Sequence, residues 1–169
     1  MADNDNVLLI RAGEMRCSLF RSPSQNAEAI REPADELVRY LERVSGLPLP
    51  QYEEGYPVTL TLKLDPRSAM EKESFTIEAT HTEVRLTART LGGMFHAVYF
   101  FLEKAAGIRW LWPGVDGEVV PAADTVSFPL GLVRQAPDFK WRALHVGGAI
   151  YGQKGGLDLI TTRHAILEL

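Results

Sequence analysis

Apolar residues recur along this chain with two different periods. Ala34, Leu37, Val38, Leu41 and Val44 fall three and four positions apart, which places them on one stripe of a helix. Pro33 suits the first turn, where its missing N–H is not needed. Ser45-Gly46 ends the segment, with Gly46 able to take a left-handed cap. Asp35 and Arg39 are expected to pair on the wet face. A second helix is predicted from about Leu91 to Ala106, closing at Gly107. Met94, Val98, Phe101, Leu102 and Ala105 make its main stripe, while Phe95, Ala97, Tyr99 and Phe100 add a second apolar side. A helix apolar on most sides is buried on most sides. It should therefore lie between a sheet and a further layer, which a missing part of the protein could supply. Gly92-Gly93 are expected to relieve strain where the chain turns into this helix.

The other period is two. Val58, Leu60, Leu62 and Leu64 alternate with Thr59, Thr61 and Lys63; Phe75, Ile77 and Ala79 with Thr76 and Glu78; Val84, Leu86 and Ala88 with Arg85 and Thr87. Each such strand has one buried face and one wet or differently packed face. The short Thr80–Glu83 link predicts an antiparallel hairpin. Val7–Ile10 and Cys17–Phe20 are shorter strand candidates, with a loop at Ser22–Asn26. Ile108–Trp112 is strand-like, Pro113–Glu118 a turn, and residues 119–121 and 125–128 short extended pieces. Two apart on a strand, Trp110 and Trp112 share a face and read as core or interface anchors; a sugar-stacking platform is the alternative. Pro137-Asp138 marks a junction. Trp141–Val146 reads as a fresh strand, Gly147–Gly156 as a glycine-rich loop, and Thr162–Leu169 as an unfinished helix. Together these predict an α+β fold, a mostly antiparallel sheet with two helices packed on it.

Composition narrows the function classes. The chain has 169 residues, 46% hydrophobic and 24% charged, with a formal net charge of −4, enough for one domain with an overhang. No basic block appears, so neither nucleic acid nor an anionic membrane is an expected partner. No apolar run approaches the ~20 residues that span a bilayer. The start, Met1-Ala2-Asp3-Asn4-Asp5-Asn6, lacks the basic and apolar regions of a signal peptide, which makes the cytoplasm the default location. The single cysteine, Cys17, excludes an internal disulfide framework and a multi-cysteine zinc site, and reads as a buried structural thiol.

The order of elements carries a resemblance. Leu91-Gly92-Gly93-Met94-Phe95-His96-Ala97-Val98-Tyr99-Phe100-Phe101-Leu102-Glu103 is followed by Gly107-Ile108-Arg109-Trp110, then Pro113-Gly114, then Gly117-Glu118-Val119-Val120-Pro121. Over roughly residues 7 to 145 this resembles the N-terminal domain that precedes the catalytic barrel in family-20 β-N-acetylhexosaminidases, family-67 α-glucuronidases and related carbohydrate-active proteins. The resemblance implies an accessory domain over residues 1–136 and the start of a truncated (β/α) barrel over 137–169. It implies as partners the C-terminal barrel of the same protein and, through it, a carbohydrate. Pro137-Asp138-Phe139-Lys140-Trp141-Arg142 resembles the strand that opens the barrel, where in the hexosaminidases an arginine holds sugar hydroxyls. Arg142 matches that position. Its guanidinium offers fixed donors to such oxygens, and a salt bridge across an inter-domain seam is the competing role.

Catalytic chemistry is what the sequence does not offer. Glycoside hydrolysis needs two carboxyl groups, or one with a substrate group assisting. Asp35-Glu36 reads as a solvated helix face, Glu53-Glu54 as a loop, and Asp116 and Glu118 as residues of a glycine turn. His81 reads as a turn residue, His96 as a helix residue at a packed boundary, and His145 as a residue that could approach a sugar; with His164 they form no metal-binding spacing. No phosphate-cradling loop or other cofactor signature is present. No catalytic residue, metal ligand or cofactor is expected. The expected function is that of a non-catalytic domain of a glycoside hydrolase, the alternative a free-standing carbohydrate-binding or protein-interaction module. An uncovered apolar side of the second helix would promote self-association.

Overall fold

The structure, a computed structural model, describes residues 5–21, 28–51 and 54–139. Its elements run β1 (Asn6–Arg11), β2 (Glu14–Met15), β3 (Cys17–Arg21), α1 (Arg31–Ser45), β4 (Val58–Leu64), β5 (Phe75–Ala79), β6 (Glu83–Ala88), α2 (Leu91–Ala106), β7 (Arg109–Trp110), β8 (Glu118–Val119), β9 (Val126–Pro129) and β10 (Gly131–Gln135). The class is α+β. The main sheet is mixed, in the order β10-β5-β6-β4-β3. The β5–β6 hairpin forms, and β10 adds to it antiparallel. β3 pairs with β4, and β4 with β6, in parallel. Parallel neighbours need a crossover. Between β3 and β4 that crossover contains α1, which is why this side of the sheet departs from the antiparallel expectation. A second sheet, β2-β1-β9, is antiparallel throughout, as is the β7–β8 pair.

The period-two patterns sort the main sheet into two faces. Val58, Leu60, Leu62, Ile77, Val84, Leu86 and Ala88 are all buried, while the residues between them are partly or fully exposed. The buried face receives α2, which also packs against α1 and β9. Phe101 on α2 meets Phe128 on β9 with ring centroids 5.1 Å apart. The second layer over α2 is thus supplied within the domain. Phe95 is buried, and Tyr99 and Phe100 are half-buried, so the expectation of an uncovered outer side on this helix is corrected.

α2 has the bounds its pattern predicts. Thr90 caps it by accepting from the Gly93 N–H at 3.2 Å, and Gly107 closes it in the left-handed region at φ 68°. α1 closes likewise at Gly46, φ 70°. The two glycines of α2 differ from expectation. Both are helical rather than strained. Gly93 is required by close approach, since a Cβ there would stand 3.0 Å from the Ser74 carbonyl oxygen, whereas one on Gly92 would meet nothing within 4 Å. On α1 the stripe includes Tyr40, which is fully buried, while Val38 is only half-buried.

Candidate functional site

The chain leaves α2 through Gly107, pairs briefly as β7 with β8, and between them folds a loop on itself. The Leu111 N–H donates to the Gly117 carbonyl at 2.8 Å, and the Gly117 N–H to the Gly114 carbonyl at 3.0 Å. A short 3-10 turn, Val115–Gly117, closes the loop. Gly117 is buried under the backbone of Trp112, where a Cβ would lie 1.9 Å from the Trp112 oxygen. The loop therefore has a fixed shape, yet its apolar side chains face water. Leu111 is 72% exposed, Trp112 74%, Val115 75% and Val119 47%.

The base of the loop is clamped to the helices. The Trp110 indole N–H donates to the Tyr40 hydroxyl at 2.8 Å, and that hydroxyl donates to a Glu118 oxygen at 2.8 Å. Arg43 binds the other Glu118 oxygen. Trp110 meets Tyr99 and Tyr40 edge-on, with centroids 4.7 and 5.2 Å apart, a favoured aromatic geometry. The Arg39 guanidinium lies 4.4 Å from the Tyr40 ring centroid, within cation–π range. The Tyr99 hydroxyl donates to Glu36 at 3.1 Å, and Arg39 donates to the same carboxylate at 2.7 Å. Burial pushes the Tyr40 hydroxyl up to about 12 and raises Tyr99 as well, so both remain neutral donors. Burial would also raise Glu118, but the hydrogen bonds from Arg43 and Tyr40 outweigh it and hold the carboxyl below its ordinary value.

Several expected site residues change place. Trp110 is an anchor, as read from sequence. Trp112 is not packed in the core, because β7 ends at Trp110 and the chain turns before the second ring can share its face. Asp35 is placed with Arg31 at 3.8 Å, while Arg39 pairs with Glu36; Glu36 is a partner of Tyr99 rather than part of a solvated face. Glu118 does more than complete a glycine turn, since it is the acceptor that joins the loop to α1. Asp116 is exposed. His81 lies in the β5–β6 turn and is exposed, and His96 is half-buried, with Nδ1 3.4 Å from the Glu73 carbonyl. Cys17 is buried beside the Met15 sulfur at 3.6 Å, and burial pushes its thiol up to about 12, which leaves no thiolate for nucleophilic chemistry. Arg142, His145 and His164 lie outside the described residues. Among the described residues, no group of three or more His, Cys, Asp or Glu side chains is placed to hold a metal ion, and no helix is long and apolar enough to cross a membrane.

Sequence reading missed Tyr40 and Arg43. The available signal was phase: Tyr40 stands three after Leu37 and four before Val44, within the apolar stripe, and a buried Tyr hydroxyl usually finds a partner.

No family model matches the chain, and no curated protein does. Solved structures do. The fold is similar to part of the family-20 β-N-acetylhexosaminidase of Streptomyces coelicolor A3(2), with a TM-score of 0.59 and 20% identity over 82% of this chain. A β-hexosaminidase of Streptomyces plicatus gives 0.56, also at 20% identity. The family-20 exo-β-N-acetylglucosaminidase of Vibrio harveyi gives 0.54 at 12% identity over 84% of this chain. The chain spans only 25% of the Streptomyces enzymes and 18% of the Vibrio enzyme. What these likenesses establish is an α+β fold shared with a fraction of family-20 enzymes.

Proposed function

We propose that this domain is a non-catalytic accessory domain of a carbohydrate-cleaving protein, and that its β7–β8 loop docks on the catalytic barrel of the same protein. The observation that carries the reading is the loop itself. Three apolar side chains stand more than 70% exposed on a backbone fixed by the Tyr40–Trp110–Glu118–Arg43 clamp. A preordered apolar patch of this kind suits a partner surface. The family-20 likenesses favour a hexosamine-cleaving parent over an α-glucuronidase. On this reading residues 137–169 open the barrel and Arg142 contacts the sugar there. A fold alone does not choose a chemistry, so the activity must be tested on the protein.

The reading frame beyond Leu169 should encode a long α/β segment with inward carboxylates, and a stop codon there overturns the proposal. Given the barrel, expressed separately, the 169-residue chain should bind it, and Trp112→Ala should weaken that binding at least tenfold, about 1.4 kcal/mol. Equal binding by the variant would remove the loop from the interface. The chain alone should not turn over aryl-glycosides; robust hydrolysis would contradict a non-catalytic role.

A further inference from the structure

Among the described residues, the main sheet turns a second face away from α2. Register places Thr59, Thr61 and Lys63 of β4 beside Glu83, Arg85 and Thr87 of β6. On the other side Thr61 pairs with Phe20 of β3. This corner of the sheet is a concavity of about 840 Å³, walled by Phe20, Tyr56 and Pro57 and floored by Thr59, Thr61 and Arg85. Small-molecule sites commonly measure about 300–1,000 Å³.

We infer that this concavity binds a neutral, polyhydroxylated ligand one or two sugar rings in size. Its polar groups are already fixed. Arg85 grips Glu83 with Nε at 3.2 Å and Nη2 at 2.7 Å, and the Thr61 hydroxyl donates to the same carboxylate at 3.0 Å. A carboxylate has about four lone-pair sites and a guanidinium five N–H donors. The cluster commits three of the former and two of the latter, which leaves both an acceptor and donors for neighbouring hydroxyls. Groups held in place lose little freedom when a ligand arrives.

Charge argues for neutrality. Arg85 is offset by Glu83 and by Glu78 at 3.6 Å, and Lys63 stands 4.0 Å from Asp65. Among the described residues that line it, Lys63, Arg85 and Glu83 each have an opposite charge within 4.0 Å, which favours neither a phosphate nor a cation. Rings complete the set. Phe20 is 43% exposed and Tyr56 half-buried, and an aromatic face is attractive to the apolar C–H side of a sugar ring. The site lies on a different surface from the β7–β8 loop and does not rest on the accessory-domain reading.

The test is a titration of the isotope-labelled 169-residue chain, followed by amide chemical shifts. The probes are cellobiose and N,N′-diacetylchitobiose, with inorganic phosphate as the charged control. Saturable shifts confined to β3, β4, β6 and residues 56–57 are expected with at least one sugar, with a Kd on the order of 1 mM. Phe20→Ala should weaken this about tenfold. Glu83→Gln, which keeps the side-chain shape, should weaken it severalfold while the melting temperature stays close to that of the parent. No saturable shift with either sugar, shifts scattered elsewhere, a stronger response to phosphate, or unchanged binding by both variants would each overturn the inference.

Discussion

The layer around α2 and the loop between β7 and β8 are both well defined, by opposite means. α2 is held by what its apolar side chains touch: the sheet, α1 and β9. The loop is held by its two ends and by backbone contacts, while its apolar side chains touch little. Order in the first region comes from burial itself. In the second, hydrogen bonds and ring contacts at the base keep Leu111, Trp112 and Val115 in water. Exposed apolar residues on a loose loop could fold inward to some degree. Here the fixed backbone prevents that, and the proposed docking role of the loop rests on this difference.

The largest expected effect is on the buried side of the comparison. Phe101→Ala should cost about 3–5 kcal/mol in a denaturant melt, the range for a large core truncation. A loss below 1 kcal/mol would mean that α2 is not the centre of the core. Next comes Gly117→Ala, whose methyl collides with backbone rather than with a movable side chain; about 1–3 kcal/mol is expected, together with a change in Trp112 fluorescence. Tyr40→Phe removes two hydrogen bonds at the clamp and should cost about 1–2 kcal/mol. If the clamp orders the loop, this variant should also speed amide exchange at Leu111 and Gly117, and unaltered exchange would separate the clamp from the loop.

The pH dependence is smaller. The Glu118 carboxyl titrates below its ordinary 4.5 in the folded protein. Its contribution is therefore complete above that ordinary value and is lost as pH falls through the lower folded value. Glu118→Gln should flatten the acid limb of the stability curve, and an identical limb would assign it to other carboxylates. Smallest of all in stability is Trp112→Ala, expected within about 0.5 kcal/mol of the parent. Its effect belongs to association. The 169-residue chain should self-associate as concentration rises in light scattering, and the variant should do so less.

The same contrast explains how far the sequence could be read. Helix bounds and the strands β4, β5 and β6 follow from local periodicity, and Leu91–Ala106 emerges with the predicted ends. Partner choice does not follow from local periodicity. Nothing near Val58 announces that β4 lies parallel to β3 and β6. β10 was not anticipated, because Gly131-Leu132-Val133-Arg134-Gln135 has no alternation and only Val133 is even half-buried. The candidate site was less legible still. Tyr40 meets Glu118 across 78 positions, and Trp110 differs from Trp112 only because the strand stops between them. Residue type and spacing put both tryptophans on one face; the turn left only Trp110 packed.

The pairing of β1 with β9 bears on how such a domain comes to be folded at all. Within this chain β1 is made before both helices and before β9, and its Val7 pairs with Phe128, far along the sequence. Contacts so distant along the chain slow folding, and synthesis adds only about 5–20 residues per second. Val7, Leu9 and Ile10, all buried in the finished domain, therefore spend several seconds of synthesis without the β9 strand that covers them, an interval in which this strand is open to misassociation.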